Sequence, residues 1–213
     1  MKRILSFSLA LLMLALNFTG CTKETDALIG TWEGEVNYAD YFNQGLTESA
    51  GEELAAYWNV DEFNLTIVMT FREDGTYSMT VDREKLNTSL EELKQVLNTG
   101  LQKYMQDLIA ASEMEITVEE LMQGLDISID DLLDEALGSE VIDALIAECS
   151  FEGNFDAKDG KLYTSAGLEY GIDESIYETY EVSGDTLTLL SIINGEDTSR
   201  LDEALYPIIL KRA

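Results

Sequence analysis

FNLTIVMTFREDGTYSMTV, residues 63–81, is the stretch that indicates the fold most directly. In its first half, apolar side chains alternate with polar ones, as expected for a strand with one buried face. Asp74-Gly75 then supplies a tight turn, because glycine tolerates the positive φ that a hairpin requires. A second alternating run follows, with Tyr77, Met79 and Val81 on one face. The segment therefore predicts an antiparallel β-hairpin.

Further strand signals lie on both sides of a long region with helical periodicity. Together with the hairpin they make about eight strands, the number at which an antiparallel sheet can close into a barrel. Pro207 lacks an amide donor and predicts an edge or irregular position in the last strand. Cys149 alternates with Phe151, which predicts a buried thiol in a strand rather than a nucleophile. The additional predicted strands are residues 28–36, 149–157, 161–165, 176–182, 186–193 and 204–212.

Residues 83–148 predict an insertion of three or four helices after the third strand. Leucines recur there every three or four residues and form one apolar stripe. Ser89, Thr117 and Ser128 are predicted N-caps, while Gly124 and Gly138 are predicted helix ends. The stripe could form a lid over a barrel mouth, a groove for a partner, or core packed against the outside of the sheet, and we favour the last. In the connection before the hairpin, residues 52–58 predict a helix and residues 44–51 a loop.

The N-terminus has the features of a secretory signal peptide, predicted over residues 1–20. Lys2 and Arg3 precede an apolar run that is too short to span a bilayer comfortably. The run ends in Phe18-Thr19-Gly20-Cys21, which resembles the lipobox of bacterial lipoproteins. That resemblance implies cleavage before Cys21 and a diacylglycerol on its sulfur. An ordinary signal peptide cut nearby, with Cys21 incidental, is the alternative.

The resulting organisation is a lipidated cysteine and linker at residues 21–26, followed by a single domain at 27–213. A pair of acyl chains holds a protein firmly on a bilayer. The predicted location is therefore the outer face of the bacterial cell membrane, with the membrane as a partner through the lipid on Cys21.

Composition excludes several functions. Removal of residues 1–20 takes away two positive side chains and changes the net charge from −29 to −31, so nucleic acid is not an expected partner. The chain has no histidine, which excludes Ser–His and Cys–His catalysis and the usual zinc sites. We predict no catalytic residue, no metal site and no cofactor, and therefore a protein that is not an enzyme. A carboxylate-based hydrolase is the remaining enzymatic alternative.

Gly30-Thr31-Trp32, near the start of the domain, resembles the Gly-x-Trp signature of lipocalins and their calycin relatives. The strand count and the late basic pair add to the likeness, which extends to uncharacterised lipocalin-like bacterial lipoproteins and covers the β regions. The resemblance implies that Trp32 fills the base of the barrel and that a basic side chain packs across it. Arg212 is the expected partner, with Lys211 second.

The resemblance also implies a binding function for the barrel. We expect a non-catalytic extracytoplasmic module that takes a small apolar ligand inside. The alternative is a cell-envelope protein that binds another protein or has a structural role, with its barrel filled by its own side chains. The side chains expected to line a cavity are those of Phe63, Leu65, Ile67, Met69, Tyr77 and Met79.

Overall fold

The computed structural model describes residues 24–113, 115–194 and 204–213 of the chain. Eight antiparallel strands, paired in sequence order, form a closed barrel in which the last strand also pairs with the first. The predicted α+β fold, a barrel of about eight strands with a helical insertion after the third, is confirmed. The strands are β1 Gly30–Asn37, β2 Asn64–Phe71, β3 Thr76–Val81, β4 Phe151–Lys158, β5 Lys161–Thr164, β6 Ile176–Ser183, β7 Thr186–Asn194 and β8 Ile208–Arg212.

Seven helices accompany the barrel in the described residues, and the last four form the insertion between β3 and β4. The predicted loop at 44–51 is wrong, since most of it belongs to the second helix. Phe42 of that helix packs on Phe63 with ring centroids 5.8 Å apart, a tertiary contact that outweighs weak local propensity. The helices are α1 Glu24–Leu28, α2 Ala39–Ala50, α3 Glu52–Ala55, α4 Arg83–Ala111, α5 Val118–Leu125, α6 Ile129–Ala136 and α7 Ser139–Glu148.

The hairpin predicted from residues 63–81 forms the β2–β3 ladder. Phe71 pairs with Tyr77 next to the turn, so the alternating apolar faces of the two strands point the same way. Gly75 has a φ of +82°, as the tight turn requires. The Asp74 carboxylate accepts a hydrogen bond from the Thr76 amide at 3.0 Å and fixes the turn.

Three predicted strand starts are too early, because other structure occupies the residues concerned. Leu28 is the last residue of α1, and β1 begins at Gly30. Cys149 caps the C-terminus of α7 and is half-buried, so it does not belong to β4. β8 begins one residue after Pro207, which therefore lies outside the ladders that β8 makes with β7 and β1.

Two of the three predicted helix starts are confirmed. Thr117 and Ser128 each accept a hydrogen bond from the backbone amide three residues later. Ser89 is a wrong prediction, because α4 begins earlier with Asp82 as its N-cap. The Ser89 hydroxyl instead donates to the carbonyl of Asn64 at 2.7 Å and ties α4 to the start of β2.

Gly138 lies at the end of α6, as predicted, whereas Gly124 does not end α5. Gly124 lies inside α5, and the residue that leaves the helix is Asp126, with φ 56° and ψ 41°. An aspartate tolerates this left-handed conformation better than most side chains. Gly138 follows the C-cap of α6 and serves as the N-cap of α7.

The two ends of the barrel differ in their connections. Tight turns join β2 to β3, β4 to β5, and β6 to β7 at one end, which we call the base. All four longer connections, including the helical insertion, emerge at the opposite end, which we call the mouth. An opening into the barrel interior that the longer connections leave uncovered would therefore lie at the mouth.

The apolar stripe of α4 packs at the mouth end of β2 and β3 rather than across the outside of the sheet. The strand residues that it meets continue the inward-facing rows of the barrel, as the pairing of Ile67 with Val81 requires. On the outer surface α4 makes a polar contact, an ion pair between Lys85 and Glu33. The buried cluster at this junction contains Leu86, Leu90 and Leu93 of α4 with Ala39, Val60, Phe63, Leu65 and Val81.

Aromatic side chains of the β1–β2 connection cover the other side of α4. Trp58 lies directly on Gly100, where a Cβ atom would come within 2.0 Å of the indole. The Trp58 indole nitrogen donates to the carbonyl of Leu97 at 3.0 Å. Tyr57 and Tyr104 meet edge to face, with centroids 5.3 Å apart. The connection therefore holds the insertion against the barrel.

At the base, the structure places the guanidinium of Arg212 over the indole of the fully buried Trp32, 4.1 Å from the ring centroid. The same guanidinium donates to the carbonyls of Ile29 and Ala27 at 2.7 and 3.2 Å. Ala27 lies in the last turn of α1 and Ile29 directly follows the helix, and a cation is favourable at this end of a helix. Gly30 lies beneath the guanidinium with a φ of +128°, and a Cβ there would lie 2.5 Å from Nη1.

We expect Gly30→Ala to lower the free energy of unfolding by about 1–3 kcal/mol, because the methyl group is strained by the backbone and displaces Arg212. Urea denaturation measures the change. Gly45→Ala is the matched control: it lies in α2 with no atom within 4 Å of its Cβ position, and should stabilise by up to about 1 kcal/mol. A Gly30→Ala variant as stable as the parent would contradict this account of the Gly-x-Trp motif.

Candidate functional site

A cavity of about 250 Å³ lies inside the mouth half of the barrel. Its walls come from residues of seven strands, β2 to β8, from Tyr38 just after β1 and from the segment that leads into β8. Phe151 is 37% exposed at the edge of this space, which is therefore in contact with solvent at the mouth. The lining residues are Tyr38, Ile67, Met69, Tyr77, Met79, Phe151, Thr164, Glu178, Leu189, Ile192, Leu205, Tyr206 and Ile208.

Four of the six residues predicted from the sequence line this cavity: Ile67, Met69, Tyr77 and Met79. The other two, Phe63 and Leu65, do not. They lie on the same alternating face, but nearer the mouth, where the helices of the insertion and of the β1–β2 connection cover them. Alternation alone predicts the face of a strand correctly and says nothing of where along the strand the cavity ends.

Below the cavity the barrel is solid. Trp32, Phe71, Leu162, Leu187 and Leu210 are almost completely buried and fill the base half. Phe71 and Phe155 meet edge to face with centroids 4.9 Å apart. An eight-stranded barrel is just wide enough to be filled by side chains or to hold one small ligand. In this barrel side chains fill the base half, and the mouth half contains the unfilled cavity.

Glu178 is the one carboxylate among the described residues that line the cavity. None of those residues is a lysine or an arginine. The hydroxyl of Tyr206 donates a hydrogen bond to its carboxylate. Sequence reasoning missed this residue, although a signal exists. Glu178 shares its face of β6 with the buried Tyr180, so a polar residue occupies an inward position of an alternating strand.

A β-bulge shapes the wall opposite Glu178. Glu178 pairs with Ile192, and Tyr180 pairs with Leu189, so that the ladder between β6 and β7 skips Leu190. Because β7 has one extra residue at the bulge, the side chains of Leu189 and Ile192 both face the cavity, although strict alternation would place them on opposite faces. Leu190 itself is exposed.

Burial raises the pKa of Glu178, and the hydrogen bond from Tyr206 opposes this rise. Glu178 as a whole residue is half-buried. Tyr77 also lines the cavity. Burial raises the pKa of its hydroxyl, the negative charge of Glu178 contributes to the rise, and the hydroxyl donates to the Ser165 carbonyl at 3.2 Å.

A second depression of about 760 Å³ lies on the surface of the insertion, between α4, α5 and α6. Two of its apolar lining side chains are exposed, Ile116 at 37% and Ile127 at 42%. Ile109 and Met122 form its apolar floor, while Asn98, Gln102 and Asp130 give it polar walls. This groove is open and shallow, unlike the cavity in the barrel.

Metal binding and thiol chemistry are the other possibilities for the part of the chain that the structure describes. No group of three or more carboxylate or thiol side chains there could hold a metal ion. Burial raises the pKa of the Cys149 thiol, which favours the unreactive protonated form.

The predicted signal peptide at residues 1–20 and the lipidation site at Cys21 lie outside the described residues. Among residues 24–113, 115–194 and 204–213, none of the helices combines the length and apolarity needed to traverse a bilayer. The comparisons with known proteins add no relative: no family model, no curated protein and no solved structure matches the chain.

We expect Glu178→Gln to raise the melting temperature at pH 7. Because the pKa of Glu178 is raised in the folded state, the folded protein resists ionisation of this residue. This resistance lowers the stability of the fold as the pH rises above the ordinary pKa of a glutamate. The amide removes that cost and still accepts the Tyr206 hydrogen bond. Below pH 4.5, the ordinary pKa of the group, the difference between variant and parent should disappear.

Thermal denaturation followed by circular dichroism at both pH values checks this prediction. Glu181→Gln, an exposed position on the same strand, controls for the general relief of negative charge. A Glu178→Gln variant that is less stable than the parent at pH 7 would mean that the ionised carboxylate is engaged in a stabilising interaction.

Proposed function

We propose that this protein is a non-catalytic extracytoplasmic lipoprotein whose lipocalin-like barrel binds one small, mainly apolar ligand. The observation that carries the proposal is the unfilled space inside the mouth half of a closed eight-stranded barrel. Ligand sites are typically concave and apolar, with a few polar groups that fix orientation. The walls of this cavity fit that description, with methionine, leucine, isoleucine and aromatic side chains around one carboxyl group.

The size of the cavity sets the size of the ligand. An apolar cavity of about 150 Å³ accommodates benzene, and drug-sized molecules occupy about 300–1,000 Å³. At about 250 Å³, this cavity suits a single ring with a short substituent or a short branched chain. Met69 and Met79 add adaptability, since flexible thioether side chains adjust to irregular shapes.

Cavity-filling variants test the barrel site, and the chain offers matched controls. Ile208 lines the cavity while its neighbour Ile209 is exposed on the outer face; Ile192 and Ile193 form a second such pair. Residues 24–213 contain all eight strands and are the segment to test. We expect 2-phenylethanol to bind the parent and to lose binding in Ile208→Phe and Ile192→Phe, but not in Ile209→Phe or Ile193→Phe.

Titration calorimetry and ligand-observed NMR measure the binding, and native mass spectrometry detects any co-purifying molecule. Melting temperatures show whether each variant is folded, and the two pairs protect the test against the failure of one variant. Equal binding in the filled and the control variants would place the ligand elsewhere. Absence of any bound mass and of any uptake would end the ligand-binding proposal.

The membrane anchor in this proposal rests on Phe18-Thr19-Gly20-Cys21 and on the apolar run before it. We expect Cys21→Ser in the full chain to move the protein from the membrane fraction to the soluble fraction of bacterial cells, because the diacyl anchor is lost. Cys149→Ser, which alters the other cysteine, is the control. Metabolic labelling with a radioactive fatty acid follows the lipid directly. Label retained in Cys21→Ser would exclude Cys21 as the attachment site.

The groove on the insertion favours a second function, the binding of an envelope protein. Ile116 and Ile127 expose apolar surface along this groove, and exposed apolar surface is typical of a protein-binding site. Under this alternative the barrel is a scaffold, and the cavity variants described above leave function unchanged. The cavity within the barrel gives the ligand-binding function the stronger physical support.

A further inference from the structure

The cavity contains one acid and no base among the residues that line it. Glu178 projects from β6 into a space otherwise walled by apolar and phenolic side chains, and no lysine or arginine of the described chain lines it. Glu178 also takes part in none of the ion pairs of the described residues. Its one hydrogen-bonding partner in that part of the chain is the neutral hydroxyl of Tyr206. An ionised Glu178 therefore has no countercharge among the described residues.

A carboxylate without a countercharge is costly inside an apolar cavity, and a bound cation removes that cost. An ammonium group would form a charge-assisted hydrogen bond, which is stronger than a bond between neutral partners. An anionic ligand, by contrast, would place two like charges in a small space. The negative charge of Glu178 therefore favours the binding of cationic ligands over anionic ones.

The walls around Glu178 also suit a cation. Tyr38, Tyr77, Phe151 and Tyr206 bring four aromatic rings to the cavity, and ring faces attract ammonium groups. The whole chain carries a net charge of −29, so its field attracts cations to the protein and repels anions. Both effects act in the same direction as the carboxylate.

We propose that the ligand is a small organic amine, bound as its ammonium ion with the charged nitrogen on Glu178 and its apolar body between Met69, Met79 and Leu189. This inference rests on the proposed ligand-binding function and names the chemical class of the ligand. The binding involves no covalent step. Tyr206 holds the carboxylate in place through its hydrogen bond, while the same carboxyl group faces the cavity.

Three probes of nearly equal size separate charge from shape: 2-phenylethylamine, 2-phenylethanol and 3-phenylpropionate. Titration calorimetry of the segment 24–213 at neutral pH compares them. We expect the amine to bind more tightly than the alcohol by roughly tenfold or more, as a charge-assisted hydrogen bond provides, and the acid to bind least. Glu178→Gln should lower the affinity for the amine to that for the alcohol and leave the affinity for the alcohol unchanged.

Glu181→Gln, which removes an exposed carboxylate from the same strand, should keep the preference for the amine. Loss of that preference in both glutamine variants would assign it to the general negative field and overturn the role of Glu178. Equal binding of amine and alcohol to the parent, or tighter binding of the acid, would overturn the amine proposal and leave the barrel site intact. Absence of binding for all three probes, together with no effect of Ile208→Phe, would overturn both proposals.

Discussion

Closure of the barrel depends on the contact between Arg212 and Trp32. The ladder between β1 and β8 has two registered pairs, Trp32 with Arg212 and Glu33 with Lys211, and is among the shortest in the sheet. Arg212 extends this short seam, because its guanidinium stacks on the indole and holds the end of α1 through two carbonyls. A barrel has no unpaired edges only while its seam is shut. Everything inside the barrel therefore rests on a few groups at its base.

Closure at the base leaves the mouth half free to vary. The base is filled by Trp32, Phe71 and leucines that pack like any protein core. At the mouth, the β1–β2 connection and α4 cover the inward-facing ends of β2 and β3 and leave the rest of the lumen unfilled. The bulge in β7 directs Leu189 and Ile192 into that space. The filled core and the unfilled cavity thus occupy opposite halves of one sheet.

The sequence predicts features that depend on local patterns. Alternation and the turn at Gly75 predict the β2–β3 hairpin, and hydroxyl caps predict the starts of α5 and α6. Predictions from the sequence are wrong where tertiary contacts determine the role or position of a residue. Ser89 looks like a cap yet bonds β2, and Leu65 has the correct face but lies under helices. Glu178 is missed because 42 acids in the chain make any single one inconspicuous until its surroundings are known.

The position of α1 has a consequence for how the molecule would stand on a membrane. Glu24, the first residue of α1, accepts a hydrogen bond from Gly160 in the β4–β5 turn, so the described chain begins at the base. Cys21 precedes it by three residues, a reach of about 10 Å at most. A lipid on Cys21 would thus hold the base hairpins next to the bilayer. The cavity would then open away from the bilayer, toward the surroundings of the cell.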